Sequence, residues 1–213
     1  MSQNNPPPWR SADQLAPSGI LLNHRLISPG DELALLPAEL GAFANSVIKV
    51  RRASGAARIA ARELLARLGH DQRPLPKGDT GAPIWPDGIV GSLAHDSDVA
   101  VAAVGSRRDF SGIGIDIEPA QPLDPDLVPL VATNKERQGL DADPYQGRLL
   151  FVIKEAIYKA VHPLDGIFLE HHDVEVDIAS RTAATRTGRR VDFRYCLSNH
   201  IVALAFVFAA DAV

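Results

Sequence analysis

The stretch that most constrains the fold of this chain is residues 112–118, Gly-Ile-Gly-Ile-Asp-Ile-Glu, which Pro119 closes. Three isoleucines alternate with glycines and acids, which is the period of a β-strand with one buried face. On the other face Asp116 and Glu118 are neighbours, about 6.6 Å apart along the strand. Two carboxylates this close repel each other unless a cation lies between them, and the hard ion Mg²⁺ prefers oxygen ligands. The alternative is a strand whose outer face meets water and carries two solvated acids.

Composition and charge narrow the class of protein. The 213 residues suffice for one domain or two small ones, and 46% hydrophobic with 23% charged residues is ordinary for a globular protein. A formal net charge of −4 argues against a general nucleic-acid binder, and a single cysteine excludes an intramolecular disulfide framework. The N-terminus lacks the pattern of a signal peptide, and no apolar run reaches the roughly 18 residues of a membrane span. We therefore expect a soluble, cytoplasmic protein with no membrane or nucleic-acid partner.

A basic helix is predicted in the first half of the chain, from an N-cap at Ser46 to about Leu68. Arg51, Arg58 and Arg62 follow one another at i, i+7 and i+11, which places them within about 40° around the helix axis. Three aligned arginines without interleaved acids suit a ligand rich in phosphate. A solvated charged face is the alternative for this helix.

A second helix is predicted over residues 146–161, where apolar residues keep helical spacing. At i, i+7, i+11 and i+14 one polar face carries Arg148, Glu155, Lys159 and His162, all within about 60°. This spacing brings an acid and two basic side chains to one surface of the helix. The alternative is an ordinary surface ion pair between Glu155 and Lys159.

The order of these elements repeats along the chain. Each half runs strand, helix, loop and hairpin, with the hairpins at 89–104 and 191–208. The repeat predicts an α+β fold of two similar α/β subdomains related by a pseudo-twofold, each a small, mainly antiparallel sheet packed with a long helix. The predicted parts are a flexible N-terminal segment 1–17, an N-terminal half 18–111 and a C-terminal half 112–213. We expect a ligand site at the seam between the halves, and a monomer, because the repeat makes one copy sufficient.

The acidic and basic residues of the second half suggest phosphoryl-type transfer. Asp116, Glu118 and Glu155 supply three carboxylates, enough to hold one Mg²⁺ together with waters and phosphate oxygens. Lys154 and Lys159 flank Glu155, where two ammonium groups suit a pyrophosphate. Glu155 is the candidate base for the proton of the acceptor, directly or through a metal-bound water. The chain has no Walker loop and no Gly-rich Rossmann fingerprint, which disfavours the ordinary nucleotide folds.

Three ordered motifs resemble those of the 4′-phosphopantetheinyl transferases, and most closely the type that serves enterobactin- and surfactin-like synthetases. These motifs are Val90–His95, Gly114–Glu118 and Phe151–Lys159. The segments 58–62 and 83–88 resemble that type as well, and the similarity spans about residues 35–178. The order and spacing of the motifs make the resemblance specific.

The resemblance implies two α/β subdomains with coenzyme A bound at their interface. It implies transfer of the 4′-phosphopantetheine arm to a serine of an apo acyl- or peptidyl-carrier protein, with release of 3′,5′-ADP. The implied catalytic residues are Glu155, which is the favoured base, Lys159 and Asp116. The implied Mg²⁺ ligands are Asp116, Glu118 and Glu155, and the implied coenzyme A contacts are Arg51, Arg58, His95, Lys154 and Lys159. Of these, Lys154 and Lys159 would hold the pyrophosphate, and Arg58 and His95 would lie largely at the 3′-phosphate.

The chain departs from the family pattern at several positions. Ala94 stands where a serine is usual, and Ala82 stands where a basic residue is common. The sequence leaves open whether Lys77 replaces that charge. Asp96 follows the motif histidine where a small residue is frequent, which adds a negative charge near the expected phosphates. These changes are expected to weaken the affinity for coenzyme A or shift the preference for it.

Two other functions remain open from the sequence. One is a module that binds coenzyme A or a carrier protein without turnover, which the losses at Ala94 and Ala82 favour and the complete set of acids disfavours. The other is a different Mg²⁺-dependent phosphotransferase that uses ATP. A surface for the carrier protein is expected at Ile167, Phe168 and Leu169, directly after the second helix.

Overall fold

The computed structural model describes residues 15–71, 73–140 and 143–210, which contain two antiparallel sheets and two long helices. The first sheet has the order β1-β3-β2 and consists of β1 (Ile20–Leu26), β2 (Ile89–His95) and β3 (Val99–Ser106). The second has the order β4-β8-β7-β6-β5 and consists of β4 (Phe110–Pro119), β5 (Val174–Asp177), β6 (Thr182–Thr185), β7 (Arg190–Leu197) and β8 (His200–Phe208). The long helices are α1 (Ile48–Arg67) and α2 (Gln146–Asp165). Short helical turns lie at Asp31–Ala34, Pro37–Leu40, Gly41–Phe43, Val128–Val131, Asn134–Arg137 and His171–Asp173.

The two sheets pack face to face, and one long helix covers the outer face of each. Ile113, Ile115 and Ile117 of β4 lie in the core between the sheets, together with alternate residues of β2, β3 and β8. The opposite face of the first sheet packs against Leu64 and Leu65 of α1. The opposite face of the second sheet packs against α2. The layers are therefore helix, sheet, sheet and helix, and the predicted buried face of the 112–118 strand is confirmed.

The two halves follow the same chain path. In each, a strand leads to a long helix and then to a hairpin, and the first strand pairs with the second strand of that hairpin. This gives β1-β3-β2 in the first half and β4-β8-β7 in the second, which β6 and β5 extend. The predicted α+β architecture of two antiparallel sheets, each packed with a long helix, is confirmed.

Some predicted segments lie elsewhere or remain predictions. Alternation over residues 166–169 predicts a strand, and this prediction is wrong: Gly166 ends α2 with a left-handed φ of 64°, and residues 167–169 form no ladder. The proposed N-terminal segment 1–17 lies outside the described residues except for positions 15–17. The boundary between residues 111 and 112 stays a prediction, and the first strand of the second sheet begins at Phe110.

Helix α1 begins and packs differently from the expectation. Its N-cap is Val47 rather than Ser46, and no side chain caps it. Val47 and Val50 share the helical spacing of the later apolar residues, which predicts a core face for them as well. The buried residues of the helix instead run from Ala53 to Leu65, and Val47 and Val50 are 66% and 42% exposed. No helix in the described part of the chain has the length and apolar character that a membrane span requires.

Helix α2 lies directly on strand β4 at two glycines. A Cβ added at Gly114 would lie 1.9 Å from the carbonyl oxygen of Ala156, and one at Gly112 would lie 2.2 Å from that of Ala160. Only residues without a side chain allow two backbones to approach this closely. Asp116 and Glu118 continue the same strand face beyond the contact, while Glu155 and Lys159 precede Ala156 and Ala160 on the helix. The packing therefore brings the acids of the strand to the polar face of the helix.

We expect Gly114→Ala to lower the free energy of unfolding by about 2 kcal/mol or more, because its Cβ meets helix backbone that must move. Gly41→Ala is the control, since a Cβ there meets nothing within 4 Å and φ is −55°. Urea-induced unfolding of both variants measures the difference. Equal stability of the two would contradict the close contact between α2 and β4.

Candidate active site

The centre of the candidate site is the pair formed by Asp116 on β4 and Lys159 on α2. The Lys159 ammonium donates to Asp116 Oδ1 at 2.7 Å and to the carbonyl oxygen of Ile115 at 3.2 Å. Burial raises the pKa of Asp116 above its usual range, the positive charge of Lys159 opposes this rise, and the negative charge of Glu155 adds to it. A carboxylate in this position favours a cation beside it.

The two other predicted acids also pair with positive groups of the protein. Glu118 Oε2 lies 3.4 Å from a guanidinium nitrogen of Arg148, and Glu155 Oε1 lies 2.9 Å from Nε2 of His171. Burial and the neighbouring Asp116 carboxylate raise the pKa of Glu118. The hydrogen bond with His171 lowers the pKa of Glu155, so that this carboxylate is ionised at neutral pH. The pKa values of Glu118 and Glu155 are thus shifted in opposite directions.

His95 lies at the end of β2, on the other side of the same region. Its Nδ1 is 3.3 Å from the carbonyl oxygen of Asp96. Loss of hydration lowers the pKa of the imidazole, and the positive charges of Lys159 and Lys77 act in the same direction. The side chain of Lys77 lies over the ring of Phe43, 4.7 Å from its centroid. The charges of two lysines and the opposing charge of Asp96 therefore act together on His95.

The three acids are chemically suited to bind a magnesium ion, although their carboxylates do not point to one common position. Asp116, Glu118 and Glu155 offer the carboxylate oxygens that Mg²⁺ prefers, and the raised pKa values of the first two reflect burial and mutual repulsion that a cation would relieve. Within residues 15–71, 73–140 and 143–210, no three His, Cys, Asp or Glu side chains are already grouped as metal ligands. Each of the three acids instead contacts a basic side chain of the protein.

Lys154 is not brought to these acids, which departs from its predicted contact with a pyrophosphate. Its residue is 1% exposed, and its ammonium donates to Glu136 and to the carbonyl oxygens of Val131 and His171 at 2.8–2.9 Å. An ammonium has three donors, and all three are used inside the protein. Lys154 therefore lies inside the protein and stabilises the segments to which its partners belong.

The arginines of α1 also make internal contacts rather than an open phosphate-binding face. Arg58 is 3% exposed and donates to the carbonyl oxygens of Leu75 and Ser54. Arg58 and Arg62 both lie near the fully buried Glu39, at 3.6 and 3.1 Å from its Oε1. Burial lowers the pKa of Arg58. The two arginines do lie on one side of the helix, as predicted. The carboxylate that they meet there, however, is Glu39 of the chain itself.

Arg51 donates to backbone carbonyl oxygens just before the helix. Its partners are Ser46 at 2.9 Å and Ala44 at 3.3 Å. Among the described residues, these contacts do not reach the three acids of the candidate site. The predicted role of Arg51 toward coenzyme A therefore stays a prediction.

Asp96 does not add an open negative charge to the phosphate side of the site. Its Oδ1 accepts the N–H groups of Asp98 and Val99, and its Oδ2 lies 2.8 Å from Nε2 of His200. The Asp96 side chain is only 4% exposed. Because His200 begins β8, this pair joins the β2–β3 turn of the first half to the second half.

Two openings flank the polar face of α2. The interhalf cleft has a volume of about 490 Å³ and is lined by Pro83, Trp85, Ser92, Lys159 and His162 among others. The Glu155 groove has a volume of about 460 Å³ and is lined by Leu130, Glu155, Tyr158, Phe168 and His171 among others. Tyr158 lines both. Lys159 and Glu155 thus face neighbouring openings, which allows two different molecules to reach them.

Sequence reasoning missed several partners that complete these contacts. His171, Glu136, Glu39 and His200 received no role, because each lies far along the chain from the side chain that it contacts. Arg148 was noted only as a member of the polar face of α2. The sequence does contain a His-His pair after the second helix, but it does not show which acid His171 contacts.

Two family models and several relatives match this chain. A model of the 4′-phosphopantetheinyl transferase N-terminal domain matches residues 38–105, and a model of the 4′-phosphopantetheinyl transferase superfamily matches residues 112–205. The chain is 36% identical to 4′-phosphopantetheinyl transferase Svp of Streptomyces mobaraensis, over 93% of this chain and 89% of the relative. It is 37% identical to 4′-phosphopantetheinyl transferase Npt of Nocardia iowensis, over 83% of this chain and 80% of the relative. Enterobactin synthase component D of Salmonella typhimurium is 39% identical over 49% of this chain and 45% of that protein.

We expect Lys154→Met to lower the free energy of unfolding by about 3 kcal/mol, because it leaves the buried Glu136 carboxylate without its cation. The dissociation constant for coenzyme A, measured by calorimetry on the folded variant, should change by less than about twofold. Lys135→Met is the control, because the Lys135 side chain is 81% exposed and its ion pair contributes little. A large loss of coenzyme A affinity with unchanged stability would restore the pyrophosphate role of Lys154.

Proposed function

We propose, from the premise that this chain belongs to the 4′-phosphopantetheinyl transferase superfamily, that the site between its halves carries out the transfer with Mg²⁺ and the acids of β4 and α2. The family transfers the 4′-phosphopantetheine arm of coenzyme A to a serine of a carrier protein, and this chain is a transferase of that kind. One observation supports the location most strongly: α2 lies on β4 at Gly114, and Asp116 meets Lys159 directly beyond it.

The interhalf cleft is the proposed site of coenzyme A. Lys159 lines it, and His95 lies where the charges of Lys159 and Lys77 converge. We assign the pyrophosphate to Lys159 and the 3′-phosphate to His95, with Lys77 supplying the positive charge that Ala82 lacks. Arg58 and Arg51 support this side of the cleft from α1.

Asp116, Glu118 and Glu155 are the residues that would hold Mg²⁺. When bound, the ion neutralises negative charge on the pyrophosphate, as divalent cations do in phosphoryl transfer. Binding would require the acids to exchange contacts, because Asp116 now holds Lys159 and Glu118 holds Arg148. The ammonium of Lys159 would then be free to turn to a phosphate oxygen.

Glu155 is the proposed base. Its carboxylate is ionised at neutral pH and lines the groove beside the interhalf cleft. It accepts the proton of the carrier serine as the serine oxygen forms a bond to the phosphorus of the pantetheine phosphate. The bond from that phosphorus to the oxygen of 3′,5′-ADP breaks, and 3′,5′-ADP leaves with the electron pair.

The carrier protein is proposed to approach at the Glu155 groove. Phe168 and Leu130 are 68% and 64% exposed at its rim, and Ile167 beside them is 45% exposed. Leu169, which was expected on this surface, is 5% exposed and belongs to the core. Exposed aromatic and aliphatic side chains that lie together are typical of a surface that contacts a protein partner. We further propose that the enzyme acts in the cytoplasm as a monomer.

Mass spectrometry of the carrier tests the activity. The full chain is incubated with coenzyme A, Mg²⁺ and an apo carrier protein, and the carrier should gain the mass of one phosphopantetheine. Omission of Mg²⁺ with a chelator should prevent the gain. If acyl and peptidyl carriers bind but none gains mass, the result would favour a binding module without turnover. ATP hydrolysis in the absence of coenzyme A would favour a phosphotransferase that uses ATP.

Asp116→Asn and Glu155→Gln should each reduce the transfer rate by about 10²-fold or more, the range that loss of a base or a metal ligand produces. Both replacements keep the shape of the side chain, so the unfolding midpoint should change little. Glu175→Gln is the matched control. That carboxylate is 54% exposed and pairs with Lys135, which does not belong to α2. Transfer by Asp116→Asn at the normal rate and at ordinary Mg²⁺ would refute the metal assignment.

A further inference from the structure

His171 contacts the proposed base from outside the motifs that define the site. Its Nε2 lies 2.9 Å from Glu155 Oε1, and the two side chains are 29% and 32% exposed. The contact joins α2 to the short helix His171–Asp173, 16 residues further along the chain. Of the three acids, Glu155 is the one whose positive partner lies in the groove where the carrier serine is proposed to enter.

The imidazole is held in place by several neighbours. Its ring lies against Phe151, one turn before Glu155 on α2, with 5.4 Å between the ring centroids. The backbone carbonyl of His171 accepts a hydrogen bond from the buried Lys154 ammonium at 2.9 Å. Lys154 is itself fixed by Glu136 and Val131. Phe151 holds the ring and Lys154 holds the backbone of His171, so the imidazole restricts the carboxylate that it contacts.

The short helix that carries His171 is fixed at both ends. The Asp173 carboxylate accepts the N–H of Glu170 at 3.0 Å, and it pairs with Arg186 of the loop after β6 at 2.7 Å. The N–H of Arg186 also donates to the carbonyl oxygen of Asp173. The position of the imidazole is therefore set by the fold and does not depend on a ligand.

We propose that His171 is a positioning residue, which holds the Glu155 carboxylate in the orientation that receives the proton of the carrier serine. This inference rests on the proposed role of Glu155. The Lys159 ammonium on the cleft side also attracts Glu155, so that loss of the His171 contact would let the carboxylate turn away from the groove. Misplacement of a reacting group by about 1 Å costs up to about 10²-fold in rate.

The same short helix supplies a matched control. His172 follows His171 directly, is exposed, and its Nε2 lies 2.9 Å from the carbonyl oxygen of Pro129 rather than near Glu155. Replacement of His172 therefore reports on the helix alone. Replacement of His171 by glutamine keeps an N–H donor that reaches the carboxylate, whereas alanine removes it.

The test compares transfer by the wild type, His171→Ala, His171→Gln and His172→Ala in the full chain with coenzyme A, Mg²⁺ and an apo carrier. We expect kcat of His171→Ala to fall about tenfold or more while KM for coenzyme A stays within about twofold. His171→Gln should recover a large part of the rate, and His172→Ala should match the wild type. Thermal unfolding of all four proteins reports on the fold.

Two results would overturn the inference. One is equal kcat in His171→Ala and His172→Ala, with an active wild type. The other is a parallel loss of kcat, coenzyme A affinity and stability that glutamine does not restore, which indicates structural support only. A wild type that modifies no carrier would instead refute the proposed function, and this inference with it. As a readout that needs no turnover, the side-chain NMR signals of His171 should shift in Glu155→Gln and stay in Glu175→Gln.

Discussion

The contact between the backbones of α2 and β4 is the constraint on which the site depends. Gly112 and Gly114 leave no side chain between strand and helix, so the carbonyl oxygen of Ala156 reaches the strand itself. The strand positions that follow on the same face can then project only toward the polar face of the helix. Asp116 meets Lys159 for this reason. A register shift of one residue would place the isoleucines against the helix and the acids in the core between the sheets.

Buried charged residues and partly exposed charged residues serve different purposes in this fold. Glu39 and Lys154 are almost fully buried, and each is surrounded by several partners that join distant segments. Loss of one such partner leaves a charge without solvent, so these groups cannot exchange contacts at low cost. Glu118 is about one-third exposed and has Arg148 as its single ion-pair partner among the described residues, so that water and a ligand can replace this partner. Glu155 is exposed to a similar extent, but the proposed role of His171 requires that their contact persists.

The sequence predicted what local spacing determines and missed what long-range contacts determine. Alternation over residues 112–118 correctly separated a core face from an acidic face, and helical spacing correctly placed Glu155 beside Lys159. Spacing also aligned Arg58 with its neighbours, but it did not reveal that this face meets a buried acid of an earlier segment. The partners of Lys154 were missed for the same reason, since they lie 17 to 23 residues away in the chain. The roles of the site residues come from the family motifs together with chemistry, and they remain proposals.

The pair of Asp96 and His200 shows how a departure from a family pattern is absorbed by the fold. An aspartate next to His95 would repel phosphate if its charge were open to the cleft. Its two oxygens instead hold the β2–β3 turn and contact the first residue of β8. Because His200 lies opposite Pro119 in the sheet, the same contact fixes the turn of His95 relative to the end of the acidic strand. The contact therefore joins the β2–β3 turn of the first half to the sheet position beside the end of β4 in the second half.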